Sequence, residues 1–227
     1  MGVFDLDKNS LREVNQTLQE PMLMKDDKVW EIHNPKGNHA VAVGLNAQIE
    51  VIIHGSTGYY CGGMNQKANI HVFGSVGPGA GENMMSGQII IEGDASQYAG
   101  ATGHGGLLVV KGNASSRCGI SMKGNNIVVF GDIGHMSAFM AQSGNLVVLG
   151  NAGAGLGDSI YEADIFVRGT VNSLGADCIE KDMKEDHLFT LSRLLLESNC
   201  SAKPKDFRRY GSARTLYNFK IANVNSY

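Results

Sequence analysis

Seven times along the chain a short run of β-type apolar residues rises to a glycine: EVIIHG, NIHVFG, IIIEGD, LVVKGN, IVVFGD, LVVLGN and IFVRGT. The glycines are Gly55, Gly74, Gly93, Gly112, Gly131, Gly150 and Gly169, and every interval is 19 residues. Two residues before each stand Ile53, Val72, Ile91, Val110, Val129, Val148 and Val167; four before stand Val51, Ile70, Ile89, Leu108, Ile127, Leu146 and Ile165. Alternate residues of a strand point to the same side, so both columns line one interior. The column between them, Ile52, His71, Ile90, Val109, Val128, Val147 and Phe166, faces outward and is also mostly apolar, so something must cover it.

The rest of each period is built for corners. Seven residues past the glycine come Gly62, Gly81, Gly100, Gly119, Ala138, Gly157 and Ala176, and thirteen past it Ala68, Gly87, Gly106, Asn125, Gly144 and Ala163. Small residues at fixed offsets predict tight or left-handed bends, with two or three short strands per period. A 19-residue repeat is too short for two helices and lacks helical spacing. It also lacks the leucine-rich signature, a period divisible by six, and a column of aspartates. What remains is an all-β chain wound as a single-stranded parallel β-helix, one coil per period. Each coil glycine then implies a positive φ or a close backbone contact, since an unneeded glycine costs about 0.5–1 kcal/mol.

The ends depart from the period. Ser10-Leu11-Arg12-Glu13 is a capping box, and Leu11, Val14 and Leu18 form one stripe, predicting a short helix over Leu11–Leu18 that plugs the open end. Val29–His33 and Ala40–Val43 read as strands around a turn at Asn34-Pro35-Lys36-Gly37, an irregular first coil. After Gly169 the period dissolves; Lys184–Glu197 carries Leu188, Leu191, Leu194 and Leu195 at helical spacing, a helix that caps the other end or packs along the side. The expected organisation is an N-terminal cap over 1–47, the β-helix over 48–178, and a C-terminal helix and arm over 179–227. In that arm basic and aromatic residues alternate, and Phe207, Arg208, Arg209, Tyr210, Tyr217 and Phe219 are expected to grip a partner subunit.

Composition narrows the function. Glycine contributes 30 of 227 residues, against a usual share of about 7%. A net charge of −3 without a long basic cluster gives no pull toward nucleic acid or anionic lipid. No apolar run approaches the ~18 residues of a membrane span, and the first twenty residues do not resemble an export signal, so a cytoplasmic location is expected. Cys61, Cys118, Cys178 and Cys200 have no CxxC spacing and should be buried free thiols. The seven histidines look scattered, and neither residue type outlines a metal centre.

Candidate chemistry is sparse. Gly74–Gly81, GSVGPGAG, follows a strand as a phosphate loop would, but no helix follows it, so a corner is the better reading. His104 and His135 sit in glycine-rich corners with no carboxylate or nucleophile evident beside them. His54 and Glu92 share a column two coils apart, about 9.6 Å by strand spacing. Glu92, Asp94, Asp132, Asp158 and Glu162 do not fall in one column, against a polysaccharide-cleaving face. No catalytic, cofactor-binding or metal residue is assigned.

These coils, with literal GxGxG at Gly77–Gly81 and Gly153–Gly157, resemble the C-terminal GXGXG domain of the glutamate synthase large subunit over roughly Gln48–Cys178. The resemblance implies a right-handed β-helix. The opening FDLDKNSLREVNQTL and the close FRRYGSARTLYNFKIANVNSY are similar to the free-standing β-helical component of the N-methylglutamate synthase family. That resemblance implies a class II glutamine amidotransferase subunit and an FMN and iron-sulfur synthase subunit as partners, with those cofactors on the partner and none on this chain. The complex would make N-methylglutamate from methylamine and glutamate, with this chain as its scaffold. Alternatives are a component of a glutamate synthase proper, the β-helical component of formylmethanofuran dehydrogenase, and a homomeric interaction module.

Overall fold

The structure is a computed structural model describing residues 2–20 and 28–214. Strands β1 (Gly2–Asp5), β2 (Val29–His33), β3 (Glu50–His54), β4 (Asn69–Val72), β5 (Gln88–Ile91), β6 (Leu107–Val110), β7 (Lys123–Val129), β8 (Ser143–Val148) and β9 (Asp164–Val167) pair in parallel, each with the next. From β3 to β9 the register advances by one period: Ile53 lies against Val72, Val72 against Ile91, and so on to Val148 against Val167. Both predicted interior columns are at most 1% exposed. The fold is the expected parallel β-helix.

Each coil holds one true strand, not the two or three expected. A second inter-coil contact shrinks to single bridges along Thr57, Val76, Ala95, Ala114, Ile133, Ala152 and Val171. Directly after it the backbone turns left-handed at every second residue, as at Tyr60 (φ 60°), Gly62 (65°) and Met64 (55°), which no strand survives. At the middle of these positions the side chain points inward: a Cβ on Gly62 would sit 2.7 Å from Ile89 Cδ1. Only glycine or alanine fits there, while the outward-facing neighbours accept Tyr60 and Met64.

The first coil is longer, with His33 opposite His54, 21 residues on. Ala40–Val43 is a corner and not the strand its sequence suggests. Ala40 (φ 57°), Ala42 (56°) and Gly44 (66°) repeat the left-handed pattern and bond the next coil through Ala40 N–H to the Tyr59 carbonyl. Helix α1 (Leu11–Gln19) is fastened there by Asn15, which donates to the Ala40 carbonyl at 2.8 Å and accepts from the Ala42 N–H at 3.0 Å. Its capping box forms, and Val14 and Leu18 are buried against the interior columns, closing the N-terminal end. The sheet runs unbroken from β1 through the expected boundary at residue 48.

Helix α2 (Glu185–Glu197) lies along the flank and does not close the C-terminal end. Leu191, Leu194 and Leu195, with Phe207, bury Leu107, Val109, Val128, Val147 and Phe166 in a second core. This is the cover the outward apolar column requires. At the end of the stack, strand β11 (Arg208–Ser212) adds antiparallel to β9, and β10 (Cys178–Lys181) adds antiparallel to β11.

That arrangement corrects the reading of the C-terminal arm. Phe207 is buried beneath α2, and Tyr210 belongs to the main core at 2% exposure. Arg209 Nε donates to Asp164 Oδ1 at 2.6 Å; exposed Arg208 donates to the Gly169 carbonyl at 3.1 Å. These residues join the chain to itself because β9 would otherwise leave an unpaired edge. Tyr217 and Phe219 lie outside the described residues.

Candidate functional site on the open sheet face

Because α2 covers the later coils, with Ile90 of β5 at the edge of its core, the outer face of β2–β4 is left open. There the outward positions change character from Val and Phe to Glu31 and His33 on β2, His54 on β3, His71 on β4, then Phe73 and Glu92. Rings stack along the helix axis, His33 on His54 at 4.3 Å and 10° and His54 on Phe73 at 5.9 Å, and His71, on the same coil as Phe73, meets its ring at 4.2 Å with a 30° tilt. Nε2 of His33 and Nε2 of His54 each lie 3.1 Å from the same oxygen, Glu31 Oε2. His71 Nε2 lies 2.6 Å from Glu92 Oε1.

The histidines expected to be scattered are therefore partly gathered. His54 and Glu92, two coils apart, do not meet; each pairs diagonally with a residue of the adjacent coil. The 21-residue first coil hid this, because a 19-residue ruler does not bring His33 onto His54. The one available signal was the alternation Trp30-Glu31-Ile32-His33 on a strand whose buried residues are Trp30 and Ile32. Each of these side chains keeps a quarter to two-fifths of its surface in water, so these contacts contribute little to stability. One ligand atom from each of Glu31, His33 and His54 lies within 4.8 Å of the other two, a donor set able to hold a cation.

A second feature flanks the corners of the same coils. Tyr59, Tyr60, Met64 and Met85 are all at least half exposed, and Tyr60 and Met64 border a cavity of about 220 Å³ with Val43, Gly63, Glu82 and Asn83. Burial in that wall raises the Glu82 carboxyl above its ordinary value. Clustered exposed aromatics and methionines mark interaction surfaces.

Other sequence candidates behave differently. In GSVGPGAG the N–H groups of Gly77, Gly79 and Gly81 bond the Thr57, Gln97 and Cys61 carbonyls, so these amides cannot cradle a phosphate. The side chains of His104 and His135 are exposed, without a hydrogen-bond partner among the described residues. Burial pushes the thiols of Cys61 and Cys178 up to about 11 and that of Cys118 to about 12, which removes their thiolate reactivity at neutral pH. Of the five acids, which do not fall in one column, Asp94 and Asp132 do share one: two periods separate them, and Asn113 lies between. No helix among the described residues is long and apolar enough to cross a membrane.

Fold and surface together define a parallel β-helix whose own helix sheathes one part of its wall and leaves another open. The chain is 60% identical over 228 residues to Protein GlxC of Rhizobium meliloti (strain 1021), an alignment covering the whole of both chains. It belongs to the GlxC family. No protein-family model and no solved structure matches it.

Proposed function

We propose that the chain is a non-catalytic scaffold subunit of a glutamate synthase-like complex of the N-methylglutamate synthase type. In this reading it joins a class II glutamine amidotransferase subunit to an FMN and iron-sulfur synthase subunit. The observation that carries it is the division of the sheet wall. A solenoid packed throughout with branched aliphatics is a rigid spacer, and it presents uncovered Phe73, Tyr59, Tyr60 and Met64 on the coils that α2 does not reach. Rigid elements bearing exposed aromatics and methionines suit a docking role. The motif resemblance of the coils and both end segments supports the choice of complex.

The test is purification of the tagged full-length chain from its native host, with identification of what comes with it. An amidotransferase and a flavin synthase should co-purify, and the assembly should form N-methylglutamate from methylamine and glutamate. Molybdopterin-containing partners would move the assignment to formylmethanofuran dehydrogenase. A chain that purifies alone would end the scaffold reading.

A further inference from the structure

We infer that Glu31, His33 and His54 form a binding site for a divalent transition-metal ion of the Zn²⁺ class. Two imidazole nitrogens converge on one carboxylate oxygen, each at 3.1 Å, and one ligand atom from each of the three residues lies within 4.8 Å of the other two. The convergence is imposed by the fold: β2 and β3 pair in parallel with His33 directly opposite His54, and the two rings stack almost parallel at 4.3 Å. Strand spacing thus holds both donors on one side, and Glu31, two residues before His33, brings the third to the same side. Phe73 lies over the far face of His54, its ring centroid 5.9 Å away.

The donor set selects the ion. Two nitrogens and a carboxylate match zinc, which binds His at about 2.0–2.1 Å and Asp/Glu at about 2.0–2.2 Å. Calcium and magnesium prefer all-oxygen shells. Three protein ligands leave a fourth position, and here it faces outward from the open wall, toward water or a donor from a docked protein. Binding requires that both histidines be neutral, that the ion replace the hydrogen-bonding protons, and that the stacked rings rotate so that their in-plane lone pairs meet at one point. The inference is independent of the scaffold role.

Isothermal titration of the chelator-treated full-length protein with Zn²⁺ alone tests it. Wild type and His104→Ala, which alters an exposed histidine elsewhere, should bind one ion per chain. His54→Ala, His33→Gln and Glu31→Gln should each weaken binding by at least about 100-fold, since losing a direct ligand costs more than the 10–100-fold of losing an outer-shell partner. Zn²⁺ should raise the melting temperature of wild type but not of the three variants, and Mg²⁺ should raise neither. All three residues are partly exposed, so metal-free melting serves as the check on folding, and any one folded variant suffices. No Zn²⁺ bound by wild type, or binding unchanged in the folded variants, overturns the site.

Discussion

Oδ1 of Asp94 accepts the backbone N–H of Asn113 at 2.7 Å, and in doing so the carboxylate lies across Gly112. The relation repeats along the stack. Ser56, Ser75, Asp94, Asn113, Asp132 and Asn151 each pass a side-chain oxygen to the N–H one coil on, ending at Thr170. A Cβ on Gly112 would collide with Asp94 Oδ1 and would lie 2.8 Å from the Gly93 carbonyl oxygen. Of the seven coil glycines only Gly55 has a positive φ (134°), so the column exists for close approach and not for backbone freedom. From Asp94 to Asn151 acid and amide alternate, which keeps an amide between the two carboxylates.

Asn113→Asp should therefore destabilise the stack at neutral pH. It places three carboxylates on consecutive coils and removes the amide that donates to Asp94 Oδ1 at 3.2 Å. Like charges one strand spacing apart in water repel by about 1 kcal/mol per pair, less with salt. Asn113→Ser keeps an acceptor without charge and should melt near wild type. Melting curves from pH 7 to pH 3 check this: the deficit of the aspartate variant should shrink as the row protonates.

Gly131→Ala tests the close approach itself. The new methyl would strike Asn113 Oδ1 and the Gly112 carbonyl, 2.8 Å away, neither of which can retreat without breaking the row. A loss of about 1–3 kcal/mol is expected, the range for overpacking. Gly37→Ala, where nothing lies within 4 Å of the new carbon, should cost less despite its φ of +74°. Urea midpoints of the two variants give the comparison.

The contrast shows which parts of the molecule the sequence makes legible. A constant period exposes any column occupied by one residue type, so Ile53, Val72 and Ile91 announce the interior. A column mixing Ser, Asp, Asn and Thr has no such signature, because its common property is an oxygen two bonds from Cα or one further. The same holds for Glu31, His33 and His54, whose meeting depends on a first coil of unusual length. The helix over Lys184–Glu197 was readable as apolar, but leucine spacing says nothing about which surface receives it. That answer lay in Val109, Val128, Val147 and Phe166, outward residues too apolar for water. Phe207 and Tyr210 misled because an aromatic strand completing the chain's own sheet and one completing a partner's have the same composition.

The covering helix should be energetically necessary. Leu194 is fully buried between α2 and the sheet, and Leu194→Ala should cost about 2–5 kcal/mol, measured by chemical denaturation. Leu196, on the opposite side and 77% exposed, should be replaceable by alanine within about 0.5 kcal/mol. Equal effects would mean that α2 does not pack where it is placed.

Thiol reactivity should divide the cysteines. Cys61, Cys118 and Cys178 are buried with raised pKa values, whereas Cys200 is half-buried at the end of α2. A thiol reagent at pH 8 should modify at most Cys200 in the folded protein and all four cysteines in denaturant. Rapid labelling of Cys118 in the native state would contradict the packing of the coils.

Acid sensitivity should localise to Asp5, where β1 meets the first turn. The Asn34 amide donates to its carboxylate at 2.8 Å, the Asp7 N–H at 3.0 Å, and the Lys8 ammonium lies 3.2 Å away. These contacts, the Asn34 bond foremost, hold its carboxyl at about 2 instead of the ordinary 3.8. A depressed pKa means that the folded state releases this proton more readily than the unfolded chain, so the contribution is complete above about 3.8 and lost as pH falls toward about 2. Asp5→Asn should then melt below wild type by a constant interval at neutral pH, with the interval closing between those two values. Melting temperatures of both proteins at half-unit steps from pH 7 to pH 2 would show it; an interval that persists at pH 2 would assign the difference to shape and not to charge.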